Sequence, residues 1–97
     1  MNILIVEDEP AVRTGTEQFL RQRGFMVVTA TSGEEALEKS TGADVIILDI
    51  MLPGMSGIET LHQIRQTSDV PVLMLTALHD EPTQVASFDE LADDYMS

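Results

Sequence analysis

Carboxylates recur in this sequence where short apolar runs stop. Glu7 and Asp8 follow Ile3-Leu4-Ile5-Val6, Asp49 closes Val45-Ile46-Ile47-Leu48, and the hydroxyl of Thr76 follows Val72-Leu73-Met74-Leu75. If those runs are strands of one sheet, three carboxylates and a hydroxyl gather at one end of it. Carboxylates that close together repel by roughly 1 to 4 kcal/mol per pair, depending on the local dielectric, unless protons or a cation compensate. Zinc lacks its donors here, because there is no Cys and the two His residues are not at ligand spacing. Magnesium accepts one or two carboxylates, waters and a phosphate oxygen, and is the expected ion. A carboxylate beside it can act as a nucleophile toward phosphorus, since the metal neutralises charge developing on the transferred group. Asp49 is the best placed. Thr76 would hydrogen-bond an oxygen of that group, and the turn Met51-Leu52-Pro53-Gly54 would free the Met51 carbonyl to face the metal.

Four stretches read as strands, residues 2–6, 25–30, 45–49 and 72–76. Three are apolar without alternation, as expected of a parallel sheet covered on both faces. Helical segments lie between them. The first starts near Pro10, whose missing N–H costs nothing at the first helical position, and ends at Gly24, with Val12, Thr16, Phe19 and Leu20 on one face. Ser32 with Glu35, and Ser56 with Glu59, match the capping box that opens a helix; Ala36 with Leu37 and Ile58 with Leu61 supply the inward faces. A fourth helix is expected from about Asp80 to Leu91, with Val85 and Phe88 inward, and a short fifth strand at residues 93–96. This alternation, with right-handed crossovers, gives an α/β doubly wound parallel five-stranded sheet. In such sheets ligands sit at the carboxyl ends of the strands, where the order reverses, and the polar residues fall there.

Composition narrows the alternatives. Ninety-seven residues make one domain, and 43% hydrophobic content places it in the globular class. Seventeen acids against five Lys and Arg, a formal charge of -12, argue against direct nucleic-acid contact and against anionic membranes. Without cysteine the chain suits a reducing compartment, so the cytoplasm is expected, and the opening apolar stretch is too short to span a bilayer. Neither a Walker loop nor a Gly-rich dinucleotide turn follows the first strand.

The runs Ile3-Leu4-Ile5-Val6-Glu7-Asp8-Glu9-Pro10, Asp49-Ile50-Met51-Leu52-Pro53-Gly54-Met55-Ser56-Gly57, Leu75-Thr76-Ala77 and Ala92-Asp93-Asp94-Tyr95 together resemble the receiver domain of bacterial two-component response regulators, over the whole of residues 1–97. The resemblance implies a flavodoxin-like sheet of order 2-1-3-4-5. It implies that Asp49 accepts a phosphoryl group from a sensor histidine kinase. Asp8, Asp49 and the Met51 carbonyl would ligate magnesium directly, with Glu7 acting through water. Thr76 would bind the phosphoryl group and Tyr95 would rotate inward as Thr76 moves, remodelling the surface of the fourth helix and fifth strand. That surface is the usual dimerisation face in relatives fused to winged-helix DNA-binding domains, so transcription control by an output domain absent from this chain is expected.

Two departures qualify the match. Receivers carry Lys then Pro soon after the Tyr95 position, whereas this sequence stops at Ser97, before that Lys and the last helix. The chain is therefore expected to be a truncated receiver, with one side of its sheet uncovered and prone to pair with another copy. Leu91 also stands where relatives usually have Gly. Individually the residues have blander uses: acids at 7 to 9 suit a helix N-terminus, and Tyr95 suits a half-buried packing role. An aspartyl-nucleophile phosphatase would want a second acid two residues after Asp49, where Met51 stands. No turnover of an independent substrate is expected beyond self-catalysed phosphorylation and dephosphorylation. The rival reading is a protein-interaction module that keeps the fold and works without phosphorylation.

Overall fold

Five strands, β1 (Asn2–Val6), β2 (Met26–Ala30), β3 (Val45–Asp49), β4 (Val72–Leu75) and β5 (Asp94–Met96), run parallel in the order β2-β1-β3-β4-β5. This is the doubly wound, flavodoxin-like order expected. The architecture comes from a computed structural model, which describes residues 1–75 and the backbone of the strand Asp94–Met96. The expected fourth helix, Thr76, His79 and Leu91 lie outside the described residues, as does the side chain of Tyr95. The second strand begins at Met26 rather than Phe25, because the Phe25 amide is still bonded to Leu20 O at the end of the preceding helix. The fifth strand is described over Asp94–Met96, and Asp93 lies outside the described residues.

Three helices are described: α1 (Pro10–Gln22), α2 (Gly33–Lys39) and α3 (Gly57–Arg65). Pro10 opens α1, and Gly24 at φ +93° ends it. Ser32 Oγ accepts the Glu35 amide and Ser56 Oγ accepts the Glu59 amide, both at 3.1 Å, so the forward half of each capping box is present. The Glu35 carboxylate returns one residue further back than the motif prescribes, to the amide and hydroxyl of Thr31.

The two faces of the sheet are covered unequally. On one, α2 and α3 seal a cluster built from Leu4, Val6, Ile46, Leu48 and Met74 with Ala36, Leu61 and Ile64. The helices meet closely at Gly33, where an added Cβ would strike the hydroxyl of buried Thr60. On the other face, Ile3, Ile5 and Val27 are buried, with Leu20 of α1 packed against them. The expected inward face of α1 is met at Leu20 and, half-buried, at Thr16, but not at Val12 or Phe19. Val12 is 46% and Phe19 51% exposed, and the helix has no buried residue. At 3.6 residues per turn Val12 and Phe19 lie on a line roughly 80 to 100° around the axis from Leu20, so seating Leu20 turns the other two away from the sheet. The Arg23 guanidinium covers the Phe19 ring at 4.1 Å.

At the β2 edge, Arg21 Nη2 of α1 donates to Val27 O at 2.8 Å and Lys39 Nζ of α2 donates to Thr29 O at 2.7 Å. Glu17 pairs with Arg21 and Glu35 with Lys39, each one helical turn earlier. Among the described residues no helix is long and apolar enough to cross a membrane.

Candidate functional site

The strand order reverses at β1, which lies between β2 and β3, and the carboxyl ends of β1 and β3 open into the crevice beyond it. Register places Val6 beside Leu48, so the residues that follow, Glu7 and Asp49, emerge together. Carboxylate oxygens of Glu7, Asp8 and Asp49 lie within 4.8 Å of one another. Glu7 and Asp49 are buried and Asp8 is exposed, which leaves the cluster open to solvent on one side.

Each acid is held differently. The Glu7 amide continues the ladder by donating to Ala30 O, while its Oε2 accepts the Glu9 amide at 3.0 Å. Glu9 is the N-cap residue of α1 but makes no side-chain cap bond. Asp49 Oδ1 accepts the Met51 amide at 3.2 Å, and Met51 is itself exposed. The following chain turns through Pro53 and Gly54, the latter at φ +72°. Gly57, at the start of α3, donates to Ile50 O at 2.9 Å; a Cβ there would collide with the Asp49 carbonyl oxygen and come within 2.6 Å of Ile50 Cα. Only glycine lets α3 approach the Asp49 strand end this closely.

Burial pushes the Glu7 carboxyl up to about 7; the Glu9 amide opposes this, and Asp49, through charge and a side-chain hydrogen bond, and Asp8, through charge, add to it. A carboxyl that retains its proton near neutrality, between two other acids, marks a place where positive charge is favoured. An all-oxygen set without His or Cys suits a hard divalent cation such as magnesium. The three acids that sequence reasoning gathered at one end of the sheet, Glu7, Asp8 and Asp49, do lie together there, and Met51 is joined to them through its amide. Thr76 lies outside the described residues, and for Tyr95 only its place in β5 opposite Met74 is described.

Arg13 was not anticipated. Its Nη1 donates to Glu7 O at 3.0 Å and to Asp8 O at 3.3 Å, across the loop that carries two of the three acids. The signal was present as an Arg five residues after Asp8, one turn into the helix, where a long side chain can fold back over the N-terminus.

This crevice, with its acids at the ends of β1 and β3, defines a doubly wound α/β domain with an acidic site at its switch point, and comparison with known proteins places it. Residues 3–97 match the response regulator receiver domain, and the chain belongs to that family. It is 43% identical over 99 residues to response regulator RR06 of Streptococcus pneumoniae, covering 100% of this chain and 46% of that protein. It is 40% identical over 97 residues to the transcriptional regulatory protein AfsQ1 of Streptomyces coelicolor, covering 98% and 43%. The chain thus spans less than half the length of these relatives. Among solved structures it is similar to the response regulator TrrA from Thermotoga maritima in complex with Mg(2+)-BeF, with TM-score 0.86 and 38% identity over 98% of this chain and 84% of that one. The BeF3-activated N-terminal receiver domain of Klebsiella pneumoniae RstA superposes with TM-score 0.90 at 32% identity, covering 99% and 84%.

Proposed function

We propose that Asp49 is the phosphoacceptor of this receiver domain. The observation that carries the reading is the convergence of Glu7, Asp8 and Asp49 within 4.8 Å at the carboxyl ends of adjacent strands. Asp8, Asp49 and the Met51 carbonyl would hold magnesium, with Glu7 engaged through water. When bound, the ion supplies positive charge against the oxygens of the transferred group. The donor is a phosphohistidine of a sensor histidine kinase. An Asp49 carboxylate oxygen forms the new bond to phosphorus, the bond from phosphorus to the histidine nitrogen breaks, and the nitrogen keeps the electron pair. The Met51 amide bonded to Oδ1 would orient the carboxylate for that attack.

The Thr76 hydroxyl would donate to a phosphoryl oxygen on the β4 side, and Tyr95 would respond from β5. Dimerisation through the fourth helix and β5, a DNA-binding output domain elsewhere in the protein, and action in the cytoplasm complete the reading. The chain's likeness to the transcriptional regulatory protein AfsQ1 supports it. Intact-mass spectrometry after incubation with magnesium and acetyl phosphate tests the chemistry. One added phosphoryl group that disappears in Asp49→Asn is expected. An adduct that persists in this variant would assign acceptance elsewhere, and no adduct on a chain that still binds magnesium would favour a phosphorylation-independent interaction module.

A further inference from the structure

The loop from Glu7 to Glu9 has few ways to stay in place. Its outer backbone groups are engaged: the Glu7 amide with Ala30 O, the Glu9 amide with Glu7 Oε2, and Glu9 O with the Arg13 amide. The two carbonyls between them, of Glu7 and Asp8, both accept from the single Nη1 of Arg13. These carbonyls belong to the peptide planes on either side of the Asp8 Cα. Pinning both planes limits φ and ψ of Asp8, and with them the direction of its Cα–Cβ bond. Asp8 is exposed, so packing does not perform this task.

We infer that Arg13 is a positioning residue for the acidic site, which aims the Asp8 carboxylate at Glu7 and Asp49 by clamping the backbone on both sides of it. The inference rests on the reading of this cluster as a divalent-cation site. Two effects of the guanidinium oppose each other. Its charge repels a nearby cation, whereas its hydrogen bonds gather the ligands before the cation arrives. The Coulomb effect is screened at the open mouth of the site, while a disordered ligand loop must be ordered on every binding event, so positioning outweighs repulsion.

Magnesium titrations followed by amide chemical shifts decide the matter on wild type, Arg13→Met and Arg13→Lys. Affinity is read on folded molecules, so a loss of stability alone does not move it. Wild type is expected to bind, with Asp8 and Asp49 amides shifting together. Arg13→Met should weaken binding by about tenfold, the scale on which groups that orient metal ligands act, and Arg13→Lys should recover part of that loss. Binding by Arg13→Met as tight as wild type, or tighter, would overturn the positioning role and assign the residue only a repulsive charge. Absence of magnesium binding by wild type would instead remove the cation-site reading, and the inference with it.

Discussion

The two faces of the sheet solve the same problem to different depths. Among the described residues, twelve that are buried beneath α2 and α3 form one continuous cluster, and Leu48, Leu61 and Met74 are fully enclosed. Beneath α1, three of the described strand residues are buried and the helix itself buries none. Strand β3, which ends in Asp49, contributes to both, with Leu48 on the deep side and Ile47 on the shallow one. Rigidity under Asp49 therefore comes chiefly from the α2–α3 side, where Gly57 brings α3 against the Asp49 backbone. The α1 side carries Asp8 and Arg13 on an element held by fewer contacts. The proposed function, which asks one acid to be held still and a cation to be admitted, would be served by that division, one wall fixed and the other adjustable.

The largest expected effect tests the deep face. Leu61→Ala removes a fully enclosed side chain and should cost about 2 to 5 kcal/mol in urea unfolding; a loss no greater than that of an α1 substitution would erase the distinction between faces. The next concerns Glu7, where the walls meet. Burial pushes its carboxyl up to about 7 in the folded protein, from an ordinary value of 4.5. The folded state thus holds this proton more tightly, so the contribution to stability is complete below about pH 4.5 and is lost as pH rises through 7. At roughly 1.4 kcal/mol per pH unit this is at most about 3 kcal/mol. Without metal, urea midpoints should fall between pH 5 and 8, and Glu7→Gln should flatten that slope; an unchanged slope in the variant would place the titration elsewhere. The smallest effect is on the shallow face: Phe19→Ala should cost about 0.5 to 1 kcal/mol, chiefly the contact with Arg23. A loss above 2 kcal/mol would mean that α1 is seated more deeply in solution.

Much of this could be read in the residues. Runs of β-branched and aliphatic side chains without alternation located β1, β3 and β4, and serine followed three residues later by glutamate located the starts of α2 and α3. The acids came together because parallel strands present their carboxyl ends on one side, a consequence of topology rather than of any one motif. What could not be read depended on depth and reach. Periodicity identifies the apolar stripe of α1, but whether Leu20 or Phe19 meets the sheet depends on a rotation of the helix that composition does not encode. Arg13 and Glu35 escaped for a related reason: long side chains choose among several backbone partners within reach, and Glu35 settles on Thr31 rather than on its own cap residue.

The edge strand β2 leads to a last consequence, about self-association. Met26 donates to Met1 O and Ala30 accepts from Glu7 N, so alternation along a parallel ladder turns the carbonyls of Val27 and Thr29 outward. A free edge of this kind, flanked by Met26 and Val28 at 63% and 47% exposure, is a template on which another chain can add a strand. Here both outward carbonyls are already taken, one by Arg21 from the helix before the strand and one by Lys39 from the helix after it. An incoming strand would have to displace two cations, each tethered to its own glutamate. Solubility at this edge thus resides in two residues remote from the acidic cluster, and substitutions of Arg21 or Lys39 would be felt in aggregation before they were felt in signalling.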